Sequence, residues 1–215
     1  MYDNIIITAM QFVKSIIDLI FPPRCGVCGA IGQEELCSEC VKKISFLRPT
    51  AFVHSVGAYE GVLKSAILRF KFKKKINLAD PLGVLMVKYL SRHLDMNKID
   101  LIVPVPLHQS RFNERGFNQS ELLSHVITKY YDVPTVSGML FRTRRTFPQF
   151  DLPKKERFKN IKGAFEVKGS TLLKEKNVLL VDDIYTTGST ISECTRTLKE
   201  GGAGNVHILT LSRVV

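Results

Sequence analysis

The chain has 215 residues, enough for one sizeable core and a small appendage. Its 45% hydrophobic and 24% charged residues, with 14 Gly and 9 Pro, exclude wholesale disorder, a collagen-like rod and a long coiled coil. The 31 Lys and Arg against 20 Asp and Glu leave a net charge of +11, which points to an anionic partner. That excess is local. Lys64 to Lys75 holds six basic residues and no acid, and Arg142 to Lys162 holds eight against Asp151 and Glu156, so the rest of the chain is close to neutral.

In chain order, Ile5 to Phe21 reads as an amphipathic helix with Ile5, Ala9, Phe12 or Val13, Ile16 and Ile20 on one stripe, closed by Pro22 and Pro23. Interrupted by Lys14 and Asp18, it is short for a membrane span, so no transmembrane segment is expected. Packing against the body is its expected use, with peripheral membrane contact as the alternative. No basic residue precedes the apolar run, which speaks against a secretory signal.

Residues 22–45 form a cysteine module. Cys25-Gly-Val-Cys28 and Cys37-Ser-Glu-Cys40 are paired C-x2-C knuckles. Four thiolates so spaced suit one tetrahedral Zn²⁺ with no open position, a site that holds structure and does not catalyse. Disulfides are the alternative pairing, disfavoured without an export signal. The fifth cysteine, Cys194, falls on a helical pattern and reads as buried core.

Residues 46–215 are assigned to one larger domain that opens with a linker or sheet-edge region over Phe46 to Tyr59. Helical spacing follows at Glu60 to Phe70 and Leu82 to Leu94, then a short apolar strand from Leu101 stopped by prolines, and a helix over Asn118 to Tyr130. An irregular basic stretch reaches to about Lys162. Gly163 to Val167 and Asn177 to Asp182 read as strands, the second apolar enough for burial on both faces. Ser189 to Glu200 is a helix stopped by Gly201 and Gly202, and Val206 to Leu211 a last strand. Strands alternating with helices predict an α/β fold with a parallel, doubly wound sheet.

The densest chemistry lies in Val178-Leu-Leu-Val-Asp-Asp-Ile-Tyr-Thr-Thr-Gly-Ser-Thr190. A buried strand delivers Asp182 and Asp183 to its end, and small hydroxyl residues and Gly188 lead into a helix. Such a loop offers backbone N–H groups, hydroxyls and a helix N-terminus to a phosphate, while the neighbouring carboxylates suit the hydroxyls of an attached sugar. Neither a Walker A nor a G-x-G-x-x-G loop occurs. Upstream, His108, Arg111 and Arg115 follow the Leu101 strand. Guanidinium forks there could hold a diphosphate, or the arginines could pair with Glu114 or Glu121; spacing does not choose between these.

The 178–190 run resembles the 5-phosphoribosyl 1-diphosphate (PRPP) motif of type I phosphoribosyltransferases. That resemblance implies a transferase-like sheet flanked by helices, Asp182 and Asp183 on the ribose hydroxyls, and Thr186, Thr187, Gly188, Ser189 and Thr190 around the 5-phosphate, with Mg²⁺ accompanying PRPP if the site is catalytic. With the paired cysteines, the Pro104-Val-Pro-Leu-His…Arg-Gly-Phe-Asn-Gln119 run and the block from Thr146 to Phe165, the chain from about residue 22 onward resembles the ComF family.

The family resemblance implies a cytoplasmic bacterial protein of natural competence that assists incoming single-stranded DNA, with partners such as a DNA translocase. Two functions stay open at this point. One is transfer of ribose 5-phosphate from PRPP to an unidentified acceptor, unrelated to DNA, with the basic stretch 142–162 as a lid. The other is a nucleic-acid module. Arg69, Lys71, Lys73, Lys74 and Lys75 interleave with Phe70 and Phe72, a composition for phosphate tracking plus base stacking, unless those aromatics are core with a solvated lysine fringe.

Overall fold

The structure is a computed structural model that describes Leu19 and residues 21–32, 34–144 and 154–215. The helix expected over residues 1–21 lies outside the described residues except for Leu19 and Phe21, which are both exposed.

After the cysteine module, which contains helix α1 (Ser38–Lys42), the elements in chain order are β1 (Val53–Ala58), α2 (Gly61–Phe72), α3 (Ala79–His93), β2 (Leu101–Pro104), α4 (Gln109–Arg115) and α5 (Gln119–Tyr131). Then come β3 (Leu140–Arg142), α6 (Lys154–Ile161), β4 (Phe165–Val167), β5 (Val178–Tyr185), α7 (Ser189–Glu200) and β6 (Val206–Arg213). Four strands make one sheet in the order β1-β6-β5-β2, every neighbour parallel.

The four apolar residues of β5 show why the strand sits at the centre. Leu179 and Val181 face a core built from Leu63, Phe70, Leu82, Leu90 and Leu123 of α2, α3 and α5. Val178 and Leu180 face Ile191, Cys194 and Leu198 of α7, with Leu140, Ile161 and Phe165. Alternate side chains thus enter opposite cores, which is the requirement of a sheet covered on both faces. The doubly wound expectation holds, and Cys194 is fully buried as expected. On the first face α3 and α5 cross closely at Gly83, where a Cβ would lie 2.6 Å from Val126 Cβ.

One alternative of the sequence reading is decided and another part needs correction. Of the linker and sheet-edge readings of 46–59 the second holds: β1 is the edge strand of the main sheet, running beside β6, and Ser55 and Thr210 hydroxyls meet at 2.8 Å in the interior. Its short, mixed pattern carries little periodicity, and the partner strand that stabilises it is about 155 residues away. The irregular basic stretch contains β3 and α6. β3 pairs antiparallel with β4, Leu140 opposite Val167 and Arg142 opposite Phe165, while Ile161 anchors α6 in the second core. Residues 145–153, the middle of the expected lid, lie outside the described residues.

Candidate functional site

The four cysteine sulfurs lie within 4.8 Å of one another. Cys25 and Cys40 sulfurs are 3.8 Å apart and those of Cys28 and Cys37 3.7 Å. Zn–S bonds of about 2.3 Å in a tetrahedron put sulfurs about 3.8 Å apart, so this donor set fits zinc, whereas a disulfide needs about 2.05 Å. The knuckle turns supply the shape: Gly29, at φ 77°, donates its N–H to the Cys25 carbonyl at 3.0 Å, and the Cys37 N–H points at Cys25 Sγ at 3.5 Å. Cys25, Leu36, Cys40 and Ile44 join the core of the larger domain, and Gly26 packs so closely on Leu78 that a Cβ would stand 3.0 Å from it.

The second site lies at the carboxyl ends of the parallel strands, the place where open α/β sheets bind ligands. A cavity of about 500 Å³ opens there, with Asp182, Asp183, Thr186 and Thr190 on one side. Lys71, Arg111, Arg115, Arg142 and Arg157 complete its charged lining, five cations against two carboxylates. Tyr59, Leu68, Phe72, Val105 and Leu107 form an apolar wall.

Each part has a local cause. β5 carries Asp182 and Asp183 beyond its apolar stretch. Asp182 is buried, and its Oδ1 accepts from Ser120 Oγ at 3.0 Å and from the Asp183 N–H at 2.8 Å. Burial, reinforced by the charge of Asp183, pushes Asp182 up to about 7. Asp183 Oδ2 meets Lys71 Nζ at 2.6 Å. The loop then turns at Gly188, whose φ of 75° is left-handed and where a Cβ would run into the Tyr185 ring. Gly188 precedes the first residue of α7, and Thr187 and Ser189 hydroxyls meet at 2.9 Å. Thr186, Gly188, Ser189 and Thr190 line a small adjoining hollow of about 30 Å³. A helix N-terminus, with its backbone N–H groups and positive dipole end, favours an anion there.

Arg111 and Arg115 occupy one face of α4, four residues apart, and both line the cavity. Arg115 donates to Gln119 Oε1 and lies 5.6 Å from the centroid of the Phe72 ring. Of the acids that could have drawn the arginines to the surface, Glu121 faces His125 at 3.9 Å. His108 caps α4, its Nδ1 accepting from the Ser110 N–H at 3.2 Å. The basic run after Arg69 divides: Phe70 is core, Phe72 is 61% exposed, Lys73, Lys74 and Lys75 face solvent, and Lys71 turns into the cavity.

Sequence reasoning therefore missed Lys71 as a pocket residue, along with Tyr59 and Arg142. Lys71 did carry a signal, for it follows Phe70 on a helix whose core stripe is Leu63, Ala66, Ile67 and Phe70 and so lies just off the buried face. The Mg²⁺ that the fold implies finds no resident donor set among the described residues here: one carboxylate is met by an ammonium, burial drives the other toward its neutral form, and the remaining charged lining is cationic.

Residues 82–214 match the phosphoribosyl transferase domain and residues 16–51 the double zinc ribbon domain. Competence protein F of Haemophilus influenzae is 32% identical over 197 residues, spanning 89% of this chain and 85% of that one. The chain belongs to the competence protein F family. DNA utilization protein YhgH of Escherichia coli K12 is 32% identical over 196 residues, 90% of this chain and 84% of that one. Among solved structures, a purine phosphoribosyltransferase from Pyrococcus horikoshii has 22% identity and a TM-score of 0.38, covering 62% of this chain and 71% of that one.

As a member of this family the chain combines a zinc-ribbon arrangement of four cysteines with a phosphoribosyltransferase fold.

Proposed function

We propose that this protein binds a ribose 5-phosphate moiety, as in PRPP, in the cavity at the end of β5 and assists the handling of single-stranded DNA in natural competence. The observation that carries the first half is the cavity of about 500 Å³ in which Asp182 and Asp183 stand beside the Thr186 to Thr190 loop and face five cations. The carboxylates suit ribose hydroxyls, the loop and the α7 N-terminus a 5-phosphate, and Arg111 and Arg115 a diphosphate.

Titration calorimetry with PRPP and with ribose 5-phosphate tests this half. Saturable binding that is lost in Asp183→Asn and Thr187→Val is the expected result, and heats unchanged by both substitutions would reject the assignment.

The DNA half draws on the names of the relatives above and on the exposed lysines 73–75 that follow Phe72 in the chain. An oligonucleotide should bind with affinity that falls as salt rises, and the triple Lys73→Gln, Lys74→Gln, Lys75→Gln variant should lower the logarithmic salt slope by about 2. In the reading offered here the protein works in the cytoplasm beside a DNA translocase. In keeping with that, no helix among the described residues is long and apolar enough to cross a membrane.

The apolar wall favours a second reading. Tyr59, Leu68 and Phe72 leave a surface beyond the sugar-phosphate contacts where an acceptor base or amine could lie. The reaction would break the bond from the anomeric carbon to diphosphate and form one from that carbon to the acceptor, whose proton is released. Any Mg²⁺ chelated by the diphosphate belongs then to the ligand. Diphosphate release from PRPP in the presence of a panel of bases and amines tests it, and no release above the Asp182→Asn background rejects it.

A further inference from the structure

The cation facing the sugar site comes from the chain itself. α2 buries Leu63, Ala66, Ile67 and Phe70 against the sheet, and the Phe70 ring stacks on Phe117 at 5.5 Å with an interplanar angle of 30°. That stack fixes the last turn of the helix. Lys71, one residue on and about 100° round the axis, leaves the core stripe and extends along the flank toward the carboxyl ends of the strands. Its ammonium comes to rest 2.6 Å from Asp183 Oδ2, with the lysine side chain 15% exposed and the aspartate 4%.

A buried ion pair is a poor stabilising device, since desolvation of both ions offsets most of their attraction and an apolar pair of the same shape is often as good. Stability therefore gives little reason to place one here. Placed at a sugar-phosphate site it has an evident use, because it brings one positive charge to the acidic pair without a metal.

The rest of the lining points the same way. Asp182 is already served by the Ser120 hydroxyl and the Asp183 N–H, and Arg111, Arg115, Arg142 and Arg157 line the same cavity. A divalent ion seated at Asp183 would displace Lys71 and face four guanidinium groups.

We propose that Lys71 is the resident cation of this pocket, a positioning residue that holds Asp183 toward the sugar and makes binding of a ribose phosphate independent of divalent metal. This rests on the phosphoribosyl reading above and adds to it what supplies the positive charge.

Ribose 5-phosphate is the suitable probe, since it lacks the diphosphate that would bring its own Mg²⁺. Its affinity is measured by calorimetry on the full chain in EDTA and in millimolar Mg²⁺, for the wild type, Lys71→Met and Lys71→Arg. The wild type should bind equally in both buffers, within about twofold. Lys71→Met should lose roughly tenfold or more in EDTA, the size of one charge-assisted contact, and Lys71→Arg should recover most of it. Partial rescue of Lys71→Met by Mg²⁺ would support the proposal further, because a purely structural lysine would not make binding metal-dependent.

Wild-type affinity that drops tenfold in EDTA overturns the proposal and leaves the phosphoribosyl reading intact, and so does a Lys71→Met variant that binds like the wild type. Absence of binding by the wild type to ribose 5-phosphate and PRPP in both buffers overturns the phosphoribosyl reading and this inference together. Should Lys71→Met fail to fold, the wild-type comparison and Lys71→Arg still decide.

Discussion

The cysteine module and the strand-end cavity set opposite electrostatic problems. In the first, four sulfurs stand within 4.8 Å of one another, negative when they are thiolates, and only a cation can hold them. In the second, five basic side chains and two carboxylates line one cavity among the described residues, a balance that favours an anionic ligand. The first site is closed and built from 16 consecutive positions, Cys25 to Cys40. The second is open and drawn from segments between Tyr59 and Thr190. Closure suits a structural metal and openness a ligand that comes and goes.

The sharpest way to break this contrast is to remove the metal. The module shares one core with α2 and α3 through Cys25, Cys40 and Leu78, so chelation should unfold more than the ribbon. Structural zinc sites contribute on the order of 10 kcal/mol to folding, and the loss should appear as a large drop in Tm with about one zinc per chain released by elemental analysis. A chelated protein that keeps its full Tm would mean the ribbon is an independent appendage.

Next in size are two substitutions at tight backbone positions, one far from the ligand and one beside it. Gly83→Ala should cost about 1–3 kcal/mol by wedging α3 from α5 at Val126 while leaving ribose 5-phosphate affinity alone. Gly188→Ala should cost about 1–2 kcal/mol for the left-handed residue and also abolish ribose 5-phosphate binding as the loop shifts from Tyr185. Urea midpoints and calorimetry separate the two. Equal loss of affinity in both variants would show that the loop is not a local anion site.

A smaller effect tests the acid pair. Ser120→Ala removes the hydroxyl that donates to Asp182 at 3.0 Å and should cost about 1–3 kcal/mol while pushing Asp182 further up. A destabilisation that vanishes in an Asp182→Ala background, which has no acceptor for the hydroxyl, is the expected double-mutant result.

The smallest effect is in the pH dependence of stability. His54 and His207 are held below the usual imidazole value of 6.5 by burial, with His207 and then His93 adding charge repulsion at His54. The unfolded chain binds those protons more readily, so their contribution is full above about 6.5 and is lost as pH falls through their lowered values. Asp182 acts oppositely: raised from 3.8 to about 7, its contribution is present below 3.8 and lost as pH climbs through about 7. Urea midpoints across this range should lose less on acidification in His207→Gln than in wild type. Asp182→Asn should remove the component of stability that grows as pH drops from about 7 toward 3.8. Identical profiles for all three proteins would refute both assignments.

Much of this molecule was legible before folding. The C-x2-C spacing is a local constraint that no distant partner alters, and the structure draws those four sulfurs together. The α7 boundaries, Ser189 to Glu200, follow from Gly188 at one end and Gly201 at the other. The apolar run of β5 forecast burial on both faces because alternate residues had nowhere polar to point. The strand β3 was not legible and β1 only as a segment that could be linker or sheet edge, since their short mixed patterns carry little periodicity.

By itself, then, the sequence determined the four-cysteine cluster, the central strand, the acidic pair and the loop that follows it, for each is set by spacing within a few residues. It also determined that the charge excess sits in two segments. Only the tertiary structure decided how those charges are used. Folding sends Lys71 inward to Asp183 while its neighbours Lys73 to Lys75 stay in solvent, and brings Arg142 and Arg157 of the second segment to the same cavity. The reason is geometric: Lys71 stands on the last turn of α2, one step of about 100° off its buried stripe, whereas the helix ends at Phe72 and Lys73 to Lys75 lie beyond it.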